Sequence, residues 1–193
     1  MALSLPIDPG ANELLNRNVL ALLVGMVLDQ QVSMEKAFSS PYVLAQRLGH
    51  DLDAREIADH DPEALVALFA RPPALHRFPK AMAARVQEMC RVLVERYDGD
   101  AARLWADPVD GRELLARITA LPGFGQQKGQ IFLALLGKRF GVRPSGWQEA
   151  AGGYGDPDAH RSVADVTDAE SLRLVREYKQ QMKAAAKART AGN

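Results

Sequence analysis

Cysteine is almost missing from this sequence: of 193 residues, only Cys90 carries a thiol. One thiol rules out an internal disulfide and any four-cysteine iron–sulfur cluster. Its place in Val86–Val94 suits the core face of a helix, where a thiol acts as a small apolar group. Net charge is missing as well, because 24 basic and 24 acidic residues cancel. A domain that holds nucleic acid mainly by charge is basic, so a uniformly positive binder is excluded, though not a local patch. Long apolar runs are also lacking. The most apolar stretch, Asn12 to Leu28, falls short of the ~20 residues that a bilayer span needs. With no secretory signal at the start, the expectation is a cytoplasmic protein without a membrane partner.

What is present points to helices. Ala, Leu, Arg and Glu dominate, and β-branched residues are sparse. The length suits one domain over 1–193, or two small lobes sharing a cleft. After an irregular lead-in over Met1–Gly10, one helix is predicted from Asn12 to Leu28, followed by Asp29-Gln30-Gln31-Val32-Ser33, with Ser33 capping a second helix that ends at Leu48. Two short helices carry Ile57, Leu65, Leu68 and Phe69, the second starting at Asp61-Pro62-Glu63. A long helix runs from Lys80 to Tyr97 and closes at Asp98-Gly99-Asp100. His50, His60 and His76 lack metal-spaced partners and read as structural or surface residues. Leu104, Trp105 and Val109 lead on to the next helix.

The most informative stretch is Ala120-Leu-Pro-Gly-Phe-Gly-Gln-Gln-Lys-Gly129. Before it, Leu114, Leu115 and Ile118 mark a helix over Gly111–Thr119; after it, Gln130–Phe140 is apolar enough for a buried helix. Pro122 and Gly123 stop the first helix, and Gly125 opens the second at a position tolerant of positive φ. The first N–H groups of that second helix have no intrahelical partner and form a ready phosphate site. Beyond Pro144 the chain carries Trp147, Glu149, Tyr154, Asp156, Asp158 and Asp165. A last helix begins at Thr167-Asp-Ala-Glu170 with a capping-box pattern and takes its apolar face from Leu172, Val175, Tyr178 and Met182. Arg173, Arg176, Lys179, Lys183, Lys187 and Arg189 give its end a basic run, the composition of a solvated helix face.

Leu121-Pro-Gly-Phe-Gly125, with its polar pair and apolar helix, resembles the helix-hairpin-helix of the HhH-GPD DNA glycosylase superfamily, the endonuclease III and 3-methyladenine glycosylase II group. The segment Ala21–Ala37 is similar to that family's early helix and Gln-Gln turn, and Phe78-Pro-Lys-Ala81 to the lead into its central helix. The resemblance implies an all-α, two-lobed fold with its hairpin at about residues 111–139, at the mouth of a cleft. It implies a base-excision repair enzyme that removes a damaged base from duplex DNA, or a catalytically silent DNA-binding protein of the same fold. In such a protein Leu121, Gly123, Phe124, Gly125, Gln127 and Lys128 meet the DNA backbone, and Gln30 and Gln31 fill or probe the duplex near the lesion. Trp147 is the candidate for stacking on the extruded base.

Two departures matter. Bifunctional members place a lysine where this chain has Gln127, and Lys128 is one step on, rotated about 100° around the helix. The resemblance therefore implies hydrolysis without a lyase step. The family's aspartate after the hairpin is also lacking. Register from Pro144 puts Glu149 in its slot, while Asp158-Ala159-His160 keeps an Asp-x-His spacing after an insertion. Both acids are catalytic candidates. No metal-ligating side chains or iron–sulfur cluster are expected, and hairpin carbonyls that hold a K⁺ or Na⁺ ion are a family feature. The expected partner is damaged duplex DNA, bound by a monomer. The lesion is not legible.

Overall fold

The computed structural model describes residues 3–108 and 110–191, and of residues 189–191 the backbone alone. Met1 and Ala2 of the lead-in and Val109 of the bridge lie outside the described residues. Ten α-helices occur with no strand among the described residues: α1 (Pro9–Arg17), α2 (Val19–Leu28), α3 (Met34–Leu48), α4 (Ala54–Asp59), α5 (Pro62–Ala70), α6 (Pro79–Tyr97), α7 (Gly111–Thr119), α8 (Gln126–Arg139), α9 (Trp147–Ala151) and α10 (Ala169–Ala191). Short 3₁₀ turns follow α6 and α9 and precede α10.

The apolar stretch read as one helix is two, with a 115° bend at Asn18. Asn18 leaves the helical region; its side-chain oxygen accepts from Ala21 N–H and its Nδ2 donates to Leu52 O. A short amide that bonds locally competes with helix continuation, and with apolar residues on both sides periodicity cannot show the break. The bend lets α1 and α2 each pack on α3. The lead-in is held down too: Asn12 and Asn16 clasp the backbones of Leu5 and Leu3, whose side chains are buried. No single helix among the described residues is long and apolar enough to cross a membrane.

The helices α1–α6 pack among themselves around α2, α3 and α6, and α7–α9 pack around α8. One contiguous apolar core joins the two groups. Cys90 lies within it, fully buried, and burial pushes its thiol up to about 12. The start of α10 packs on the 3₁₀ turn at 163–165. Its apolar face is shorter than the spacing predicts: Leu172 and Val175 are buried, whereas Tyr178 sits half-exposed beneath the Arg161 guanidinium and Met182 is exposed. Its cap is also one residue later than expected, since the Asp168 carboxylate accepts from Ser171 N–H.

Candidate nucleic-acid interface

The bend between α7 and α8 is built from both ends. Leu121 and Phe124 are buried, and Phe124 meets Phe132 edge-on at 5.6 Å, which anchors the loop to α8. Their side chains are therefore core, so these two residues can offer an outside partner only backbone. The left-handed position is Gly123 (φ +89°) and not Gly125 (φ −78°, ψ 176°), which any residue could adopt. A Cβ on Gly123 would press on Arg85 and Val27, whereas one on Gly125 would meet nothing within 4 Å. No contact within the fold demands glycine at 125; a close approach from outside would.

Side chains cap α1–α5 and α7, but none caps α8, which starts directly after Gly125 as the sequence predicts. Leu121 N–H bonds Ile118 O and Phe124 N–H bonds Leu121 O. The N–H groups of Gly123, Gly125, Gln126, Gln127 and Lys128 take no intramolecular acceptor among the described residues. With the helix dipole behind them, these donors suit a phosphate. An open depression of about 550 Å³ lies against them, walled by Arg85 and Glu88 of α6. The carbonyls of Ala120, Pro122 and Gly123 accept no hydrogen bond among the described residues, so oxygen donors that fit a hard alkali cation exist there. No group of three or more His, Cys, Asp or Glu side chains that could hold a metal occurs among the described residues.

On the other side of the α8 start lies a groove of about 770 Å³ between the Gln-Gln turn, the first turns of α8 and the middle of α10. Arg77, Lys128, Lys179 and Lys183 line it, against one carboxylate, Asp29. A chain of zero formal charge thus concentrates positive charge in one place. Lys128 Nζ donates to Val27 O at 3.2 Å. Burial holds this ammonium below the usual lysine range, the charge of Asp29 pulls it upward, and that of Arg85 lowers it further. Gln127 also lines the groove, its amide donating to Tyr154 OH at 2.8 Å.

The turn opposite is fixed from beneath. Gln30 Nε2 donates to Val27 O, and Gln30 O receives a bond from Nε2 of His76, which is buried. His76 Nδ1 accepts from Phe78 N–H, so the ring, with Nε2 on Gln30 O, ties the turn to the start of α6. Gln31, by contrast, is exposed and holds a left-handed backbone (φ +56°). Such strain in a non-glycine residue collects at functional positions. Of the pair, Gln31 is the side chain presented outward.

The remaining candidates stand elsewhere. Trp147 packs on α8 where Gly137 leaves room; a Cβ there would fall 2.4 Å from the indole. It helps line a separate cavity with Lys138, Arg139 and Arg143, at the opposite end of α8 from the bend. Glu149 is exposed on α9, outside the groove lining. Asp158 lies in a shallow depression with His160, Arg161 and Tyr178. Asp156 makes a turn, accepting from Asp158 N–H. Asp165 caps the 163–165 turn and pairs with Lys138. Asp29, Arg77, Lys179 and Lys183 are the charged groove residues that the sequence reading did not single out as site residues. Lys179 and Lys183 belong to the basic run read as a solvated helix face, and Asp29 stands next to the Gln-Gln pair.

A model of the HhH-GPD superfamily base excision DNA repair proteins matches residues 24–191. No curated protein and no solved structure matches the chain. The match spans most of the chain, from the middle of α2 to the end of α10, and includes both walls of the groove as well as the bend. With its all-helical architecture and an uncapped hairpin beside a cationic groove, the chain belongs to the HhH-GPD superfamily of base excision DNA repair proteins, a membership that implies DNA binding.

Proposed function

We propose that this protein removes a damaged base from duplex DNA by hydrolysis, without a lyase step. The observation that carries the reading is the groove: Gln127 and Lys128 on one wall, the exposed Gln31 facing them, and a single carboxylate, Asp29, within, with the free hairpin amides opening on the other side of the α8 start. An extruded nucleotide needs its backbone held while its base is reached. In the reaction water adds at the sugar carbon and the base departs with a proton. Asp29 is the anion available to the cationic sugar as the bond breaks, or to the proton of the attacking water. Register puts forward Glu149 and the Asp-x-His spacing puts forward Asp158, and the positions of both outside the groove favour Asp29. The amide at Gln127 cannot form a Schiff base, which supports hydrolysis alone.

The test is base release from duplexes carrying alkylated, deaminated or oxidised bases. The expected outcome is release by the wild type and its loss in Asp29→Asn with binding retained. Loss in Glu149→Gln or Asp158→Asn instead would move the role to that acid. A borohydride-trapped covalent adduct would overturn the hydrolytic reading and point to Lys128. Tight binding with no release from any lesion would favour a silent DNA-binding protein, the reading that the absence of Glu149 and Asp158 from the groove supports.

A further inference from the structure

The groove has a wall that the hairpin does not supply. Helix α10 begins on the core with Leu172 and Val175 buried. Four residues after Val175, at helical spacing for the same face, comes Lys179, and four further comes Lys183. Both line the groove opposite Gln127 and Lys128. The face is apolar where it meets protein and cationic where it passes the groove. Two cations nearer the start of the helix are engaged: Arg173 pairs with Glu170 and Glu177, and Arg176 with Glu35 of α3. No acid lies within ion-pair distance of Lys179 or Lys183 among the described residues. The ordinary reading of a basic helix tail, a solvated face balanced by its own acids, therefore fits Arg173 but not these two lysines.

We propose that α10 is a second phosphate grip, with Lys179 and Lys183 holding the DNA backbone across the groove from Gln127 and Lys128 at the start of α8. This rests on the DNA-binding reading of the same groove and adds the partner's position in it. The two lysines are separated by about 6 Å along the helix axis, the advance of about two phosphates on one strand. A strand seated there is held from both walls over Asp29, with Gln31 at its side. Arg77, braced over the ring of Phe78 at 4.9 Å, stands at the same groove. Lys179 and Lys183 act only through charge, so they confer affinity and not base choice.

The experiment is a salt titration of binding to a labelled duplex with a central abasic site, read by fluorescence anisotropy. It compares the full-length wild type, Lys179→Gln/Lys183→Gln, and a control with equal charge loss on exposed positions away from the groove, Arg96→Gln/Arg112→Gln. Circular dichroism melts verify that each variant folds. The expected result is a log–log salt slope lower by about two in the lysine variant, with its curve converging on wild type at high salt and the control unchanged. If wild type binds with a slope that the lysine pair does not alter, or the control falls equally, the second grip is refuted and the hairpin reading survives. If wild type binds no duplex even at low salt, while Gly123→Val also changes nothing, the DNA-binding reading itself fails.

Discussion

Lys128 and Gln31 show how far single residues determine this site. The Lys128 ammonium is held below the ordinary lysine range, chiefly by burial. In that interval the unfolded chain binds the extra proton, so stability rises with pH from the folded value up to the unfolded one. The expected NMR titration of the Lys128 side chain is a midpoint below the ordinary lysine range, moving upward when DNA phosphate is bound. Gln31 stores strain in its left-handed backbone, on the order of 1–2 kcal/mol for an L-residue. Gln31→Gly should therefore raise the denaturant midpoint, by about 0.5–1 kcal/mol after the entropy of glycine is subtracted, while weakening binding to an abasic duplex. A gain in both would deny Gln31 a role in contact. Gln31 could be put forward as a contact from its motif. The place of Asp29 in the groove could not be read, because a helix-terminal aspartate looks alike in sequence whether it faces solvent or a groove formed by segments about 100 and 150 residues away.

At the scale of the helix, α8 is the telling case. Its start lacks the cap that most of its neighbours have, and open space lies where a side chain at 125 would go. Gly125→Asp supplies a cap and places a carboxylate at the positive end of the dipole, a gain of about 0.5–1 kcal/mol. The variant should melt higher than wild type and lose DNA binding; retained binding would show that the amides are not the contact. Gly137→Ala tests the other end. Its methyl would overlap the indole of Trp147, and overpacking of this kind costs roughly 1–3 kcal/mol, so the melting temperature should fall although alanine favours helix. Helix order, the hairpin and most starts could be read from local signals: Ser33, Asp61 and the Pro-Gly bend each act within a few residues. What could not be read depended on the fold. Asn18 breaks a helix because Leu52 O waits for its amide, and Trp147 packs because α8 offers it a glycine-lined notch.

Across the whole molecule, one core joins the two helical groups, and Cys90 reports on it. With its thiol pushed up to about 12 by burial, thiolate is negligible near neutrality. Labelling of Cys90 by a disulfide reagent should proceed at the rate of global unfolding and track denaturant accordingly; rapid labelling of the native protein would show that the core opens locally. The larger electrostatic pattern follows from the groove. Four cations face one carboxylate there, yet basic and acidic residues balance over the chain. An equal acidic excess must therefore be spread over the rest of the surface. A polyanion drifting up from behind is turned away, and one arriving at the front is drawn in, so the molecule is oriented before anything touches it. Added salt flattens both effects beyond about a Debye length of 8–10 Å, leaving encounter to chance.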